Sequence, residues 1–280
     1  MDTILILTDF SQAATYAATY ACVLAKQLGS RTLVLYHTYQ SVISTSESVT
    51  FIGDEESLRN EALGVLTDLG KDLQQELPEG TTIRYRADSM GLSEINKIAA
   101  EEGAWLIVMG TTGKSKLERM IAGSNAVSVC KTSYLPVILV PTHIEMQPVQ
   151  NIIFGCDMKE IDETIPYVVL KKMLDIFHLP LTVVNGDYQD KNFTPEMPHE
   201  TMKLHSLLEE YKPHYHNANY ADIATGILAF ASQFQSPVIL LIAKSHNFPQ
   251  SLFHHSITRQ LAYTTPIPLL VLHEKNKTKN

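Results

Sequence analysis

After a buried-strand pattern ending at Val108-Met109, the chain reads Gly110-Thr111-Thr112-Gly113, then nine residues, then Gly123-Ser124 at the start of a helical pattern. Residue types and spacing of this kind suit an anion. Glycine lacks a Cβ, so the backbone at Gly110 and Gly113 can take unusual torsions and approach a phosphate closely. Gly123 and Ser124 open a helix whose unpaired N–H groups and dipole favour negative charge. The Ser124 hydroxyl can cap that helix or donate to a phosphate oxygen. Lys114 can add positive charge nearby. Three glycines near a serine can equally be turn and cap residues with no ligand, so context has to decide between the two readings. A Walker-type loop is excluded: it needs a glycine five residues before Gly113, where Val108 stands.

The elements that would position this loop are written twice. In the first half, Ile4-Leu5-Ile6-Leu7-Thr8-Asp9 is an apolar run ending in an acid. Helical periodicity follows to a stop at Gly29, and Thr32 to His37 is a second strand pattern. Residues 54–77 and 91–102 read as helices, 81–87 and 105–109 as strands, 120–133 as a helix, and Val137 to Val140 as a closing strand. The second half repeats the order, from Asn151 through Asp157 to the closing strand Pro268 to Leu272. The linker is Pro141 to Gln150, with Pro141 and Pro148 breaking regular structure. Apolar strands alternating with amphipathic helices predict an α/β fold, a mostly parallel sheet with helices on both faces. In such sheets ligands sit beyond the carboxyl ends of the strands. Two domains are expected, 1–143 and 150–273.

The Gly-x2-Gly-x9-Gly-Ser spacing, the opening Thr8-Asp9-Phe10-Ser11, His37 at the end of the second strand and the Pro-Val-Ile-Leu-Val strand together resemble the universal stress protein family, in its tandem form. The resemblance implies two Rossmann-like domains (adenine nucleotide alpha hydrolase-like), each a five-stranded sheet, related by a pseudo-two-fold axis. It implies ATP as the ligand of the first half, with Mg or Mn held mainly through the phosphates. It puts Thr8 and Asp9 on the ribose side, Met109 and Thr38 beside the adenine, and Gly110, Gly113, Lys114, Gly123, Ser124 and Asn125 around the phosphates. The family often carries Val where this chain has Thr38, and Lys114 stands at a position that is merely polar or basic there. Pairing of the closing strands into an intrachain pseudo-dimer is also implied, and dimerisation of whole chains is left open.

The second half keeps Asp157, but its loop reads Ile242-Ala243-Lys244-Ser245-His246-Asn247, and His255-Ser256 stands near the place of Gly-Ser. It is read as a degenerate partner that has lost ATP, with another anion near Lys244 or His255 left open. The eleven histidines show no metal-type spacing, and the three cysteines no metal or disulfide framework. No Gly-x-Ser-x-Gly context supports a hydrolase. A net charge of −8 disfavours nucleic acid. No run reaches the ~18 apolar residues of a membrane span, and the acidic N-terminus is no signal peptide. A cytoplasmic, nucleotide-responsive stress or regulatory module is the expectation. The rivals are a slow ATPase, a flavoprotein-like enzyme on the same architecture, or a scaffold that binds no nucleotide.

Overall fold

The computed structural model describes residues 2–39, 43–46, 49–52, 54–111, 124–142, 144–185, 197–217, 223–243 and 257–274. Twelve strands are assigned among them: β1 (Thr3–Leu7), β2 (Thr32–Thr38), β3 (Ile43–Ser46), β4 (Val49–Ile52), β5 (Thr82–Asp88), β6 (Ala104–Gly110), β7 (Val137–Val140), β8 (Asn151–Cys156), β9 (Leu181–Asn185), β10 (His214–Asn217), β11 (Pro237–Ala243) and β12 (Leu269–His273). Ten of them form one sheet in the order β10-β9-β8-β11-β12-β7-β6-β1-β2-β5. Read outward from the middle, each half of this sheet has the same arrangement, and every pairing within a half of the sheet is parallel.

The halves join at the two closing strands. β12 runs antiparallel to β7, with Leu269 opposite Leu139, Leu270 opposite Ile138 and Val271 opposite Val137. Ile138 and Leu270 occupy corresponding places in the two halves, so the pseudo-two-fold axis passes through this pair. Val137–Val140 and Leu269–Leu272 are apolar and buried, and only His273 at the end of β12 is polar. Left unpaired, either would offer an open ladder of backbone donors and acceptors for association. Pairing them within one chain removes both edges at once, as the sequence led us to expect.

Strand alternation sorts the core into two layers. Ile4 and Ile6 pack with one set of helices, which includes Gln12–Leu28 and Tyr167–Phe177. Leu5 and Leu7 pack with the other, which includes Ile95–Glu101, Ser124–Thr132 and Ile223–Ala231. Each layer draws residues from both halves, so the apolar interior is continuous across the junction.

The helix Gln12–Leu28 shows why the sequence folds this way locally. Ser11 caps it, its hydroxyl oxygen accepting from the Ala14 N–H at 3.2 Å. Alanines at 13, 14, 17, 18, 21 and 25 favour the helix and let it lie close to the sheet. Gly29, at φ 69°, closes it with a left-handed cap that few other residues accept easily. Some elements depart from the sequence reading. β3 and β4 form a separate antiparallel hairpin in a stretch not read as strand. The helix read from residue 91 starts as a 3-10 turn, Leu92–Glu94, and becomes α-helical at Ile95–Glu101. Among the described residues, no helix is long and apolar enough to cross a membrane.

Candidate functional site

A cleft of about 430 Å³ opens at the carboxyl ends of β1, β2 and β6, and its size is in the range of small-molecule sites. Of the residues singled out in the sequence, the structure brings Thr8, Asp9, Thr38, Met109, Gly110 and Asn125 together on its wall. Ser124 begins the helix Ser124–Thr132, whose first turn borders the cleft through Asn125 and Ala126. Gly113, Lys114 and Gly123 lie outside the described residues.

The β1 exit is a tight turn. The Phe10 N–H donates to Thr8 Oγ1 at 3.0 Å, and the Ser11 N–H donates to Asp9 Oδ1 at 3.0 Å. Phe10 takes a left-handed φ of 60°, which a bulky residue adopts rarely. Its ring lies against His37, with centroids 4.3 Å apart. His37 Nδ1 is 2.8 Å from the Thr8 carbonyl, which can only accept, so this nitrogen carries the proton and donates. The turn is thereby tied to the end of β2, and exposed Asp9 is held at the mouth of the cleft.

The structure gives Gly110 a reason that its spacing did not show. Its φ lies outside the left-handed region, so it is not needed for an unusual torsion. A Cβ here would sit 2.5 Å from the Ala13 carbonyl oxygen and 3.1 Å from the Ala14 nitrogen. Glycine lets the end of β6 touch the first turn of the helix Gln12–Leu28 backbone to backbone, and Ala13, Ala14 and Gly110 all border the cleft.

A third wall was not legible in the sequence. Ser89, Gly91 and Leu92, just after β5, also line the cleft. They are held by Tyr36, whose hydroxyl contacts Asp88 Oδ1 at 2.8 Å and the Met90 carbonyl at 3.0 Å. Thr38 Oγ1 donates to the same carbonyl at 2.8 Å, and the Met90 N–H donates to Asp88 Oδ1 at 3.1 Å. Burial first, and then the Asp88 carboxylate, push the Tyr36 phenol well above its usual range, so it stays protonated. Arg86 braces Asp88 from behind at 3.0 Å and also pairs with Glu101 and Glu102. The signal that could have found this wall is Tyr36 and Asp88 at the ends of neighbouring strands, but it needs the pairing of β2 with β5 to be known.

The second half repeats the turn. Met158 has φ 51°; its N–H lies 3.4 Å from Cys156 Sγ, and the Lys159 N–H donates to Asp157 Oδ1 at 3.3 Å. By strand register, Ile242 stands where Gly110 stands, opposite Leu272 as Gly110 is opposite Val140. Gly155 takes the place of Leu7 and is roofed by Ile227 and Leu241, whose side-chain carbons would lie 2.7 and 3.0 Å from a Cβ there. The helix after β8 is broken into Ile161–Thr164 and Tyr167–Phe177 at Pro166. The Ile161 N–H is taken by the chain's own Glu200 carboxylate at 2.6 Å. Lys244, His255 and the rest of the loop 244–256 lie outside the described residues. On β10, His216 stacks on Phe230 with centroids 4.0 Å apart.

Comparison with known proteins agrees with this geometry. The profile of the universal stress protein family matches residues 1–141. Universal stress protein MJ0531 of Methanocaldococcus jannaschii is 31% identical over 144 residues, which are 49% of this chain and 80% of that relative. The solved structure of a universal stress protein from Archaeoglobus fulgidus superposes with a TM-score of 0.72 at 15% identity, covering 98% of this chain and 97% of that one. A functionally unknown protein from Pseudomonas aeruginosa superposes with a TM-score of 0.64 at 15% identity, covering 98% and 93%. At that identity the two structures speak to the fold alone, and they do so over both halves. The chain belongs to the universal stress protein family, in its tandem form.

Proposed function

We propose that the first-half cleft binds an adenine nucleotide, ATP in the first instance, and that the protein works as a nucleotide-responsive stress or regulatory module in the cytoplasm. The observation that carries this reading is the convergence of Thr8, Asp9, Thr38, Met109 and Asn125 on one cleft of about 430 Å³. Its walls suit the parts of a nucleoside. Buried Met109 and half-buried Thr38 offer an apolar and polar edge for a flat base, and Asp9 offers a carboxylate that accepts from the two ribose hydroxyls. The phosphate end of the proposal rests on sequence, with Gly113, Lys114, Gly123 and Ser124 completing the cradle and Mg or Mn entering with the phosphates. We take residues 1–143 as the nucleotide-binding domain and 150–273 as its degenerate partner. Binding, rather than turnover, is the proposed activity.

Calorimetric titration with adenosine and with ATP tests the orientation. Asp9→Ala should weaken both ligands, because the contact it removes is with the sugar. Loss of a hydrogen bond to a charged group predicts roughly 1.5–3 kcal/mol, or about ten- to a hundredfold in affinity. Unchanged binding of both ligands would remove Asp9 from the site.

A further inference from the structure

The second half reaches into the first at the helix that borders the cleft. β7 and β12 run antiparallel, and continuing their register past Val137 and Val271 brings His273 beside Leu135, just after the helix Ser124–Thr132. His273 Nε2 lies 2.7 Å from the Lys131 carbonyl in the last turn of that helix. Its Nδ1 lies 3.0 Å from the Glu274 carbonyl. Carbonyl oxygens only accept, so each contact asks for an N–H on the ring. A neutral imidazole carries one, and the imidazolium carries both. The charged ring completes the pair of bonds and sets positive charge at a helix C-terminus, where the dipole favours it.

Asn96 of the first half holds the same helix end. Its Nδ2 donates to the Thr132 carbonyl at 2.6 Å, and its Oδ1 accepts from the Tyr134 N–H at 2.8 Å. One side chain from each half thus grips the last turn. The helix is nine residues long, and its first turn lines the cleft through Asn125 and Ala126. So short a helix moves as a rod, and what fixes its last turn also fixes the turn at the cleft.

The fold itself does not require this grip. By the register that matches Gly110 and Val140 with Ile242 and Leu272, His273 takes the place of Pro141. The two helix ends are otherwise alike. The Ser133 N–H donates to the Val129 carbonyl and its hydroxyl bonds the Leu135 backbone, as Thr265 does with Leu261 and Ile267. At the place matching His273, however, the helix Ile257–Thr264 has a proline, whose side chain has no proton to donate. The contact is built toward the half that holds the cleft. The titratable groups around His273 are Lys131, Glu274, Tyr134 with its ring edge-on at 6.4 Å, and Asp162 and Tyr167 across the adjoining hollow.

We propose that His273 is a positioning residue for the first-half cleft: through the Lys131 carbonyl it fixes the helix Ser124–Thr132, so that the second half tunes nucleotide affinity with pH. This rests on the adenine nucleotide reading of that cleft. His273→Gln is the test on the intact chain, since the amide still supplies an N–H to one carbonyl but cannot gain a proton. His273 is half-buried at a strand end, where glutamine fits. Without ligand, hydrogen exchange read by mass spectrometry should be faster over residues 124–132 in the variant at about pH 6. In calorimetry the parent should bind ATP about fivefold more tightly than the variant near pH 5.5. The gap should close toward about pH 8, as the ring falls to one N–H. Comparing the two chains at each pH cancels the titration of ATP itself. Equal exchange over the helix in both chains overturns the clamp. Equal ATP affinities at every pH, or a gap that does not change with pH, overturn the coupling. A parent chain that binds no ATP at any pH overturns the nucleotide reading itself and the coupling with it.

Discussion

Phe10 and Met158 both take a left-handed φ, each just after an aspartate that accepts from the backbone two residues on. The first of these turns opens onto a cleft, while just before the second, Gly155 is crowded by Ile227 and Leu241. A strained turn kept in both places belongs to the exit from the first strand of the fold, whatever the chemistry beside it. The difference lies in what surrounds the turn. Gly110 admits the backbone of an unbroken, Ser11-capped helix, whereas Ile242 stands at the matching register before a helix interrupted at Pro166. The first half leaves a cleft beside the Ser11-capped helix; in the second, Ile227 and Leu241 crowd Gly155, and the Ile161 N–H goes to Glu200.

The largest expected effect comes from removing that difference at one position. In Gly110→Val the new Cβ would meet the Ala13 carbonyl, a backbone atom that cannot swing aside. We expect about 1–3 kcal/mol of destabilisation from overpacking, read by chemical denaturation, together with loss of ATP binding. Ile242→Val, a branched residue for a branched residue at the matching position, should cost at most about 1 kcal/mol. Equal costs at the two positions would break the comparison.

A smaller effect is expected from pH. Hydrogen bonds from Lys203 and from the Ile161 N–H hold the Glu200 carboxyl below its usual range. Its folded value is depressed, so its contribution to stability is complete above the ordinary carboxylate range and is lost as pH falls through the folded value. Thermal midpoints measured from pH 6 down to pH 3 should therefore fall less steeply in Glu200→Gln than in the parent chain. Parallel curves would show that the carboxylate at Ile161 carries no stability.

The strand-helix repetition was legible because buried parallel strands read as apolar runs, and the pairing of β7 with β12 followed from two apolar closing strands. The hairpin of β3 and β4 was not, because Ile43-Ser44-Thr45-Ser46 has the composition of a loop. The turn Ile161–Thr164 is too short to show a helical period. Within the candidate site, Thr8, Asp9, Met109 and Gly110 were legible at the ends of β1 and β6. The Ser89–Leu92 wall was not, since it reaches the cleft through a strand pairing that connects residues about fifty positions apart. The role of Gly110 was hidden too: a close backbone approach looks the same in sequence whether the neighbour is a phosphate or a helix.

The most direct test of the asymmetry is a calorimetric count of ATP sites on the intact chain, repeated on Gly113→Val and on His255→Ala. The account predicts one site per chain, abolished by Gly113→Val and unchanged by His255→Ala. Two equivalent sites, or a single site that survives Gly113→Val and disappears with His255→Ala, would contradict it.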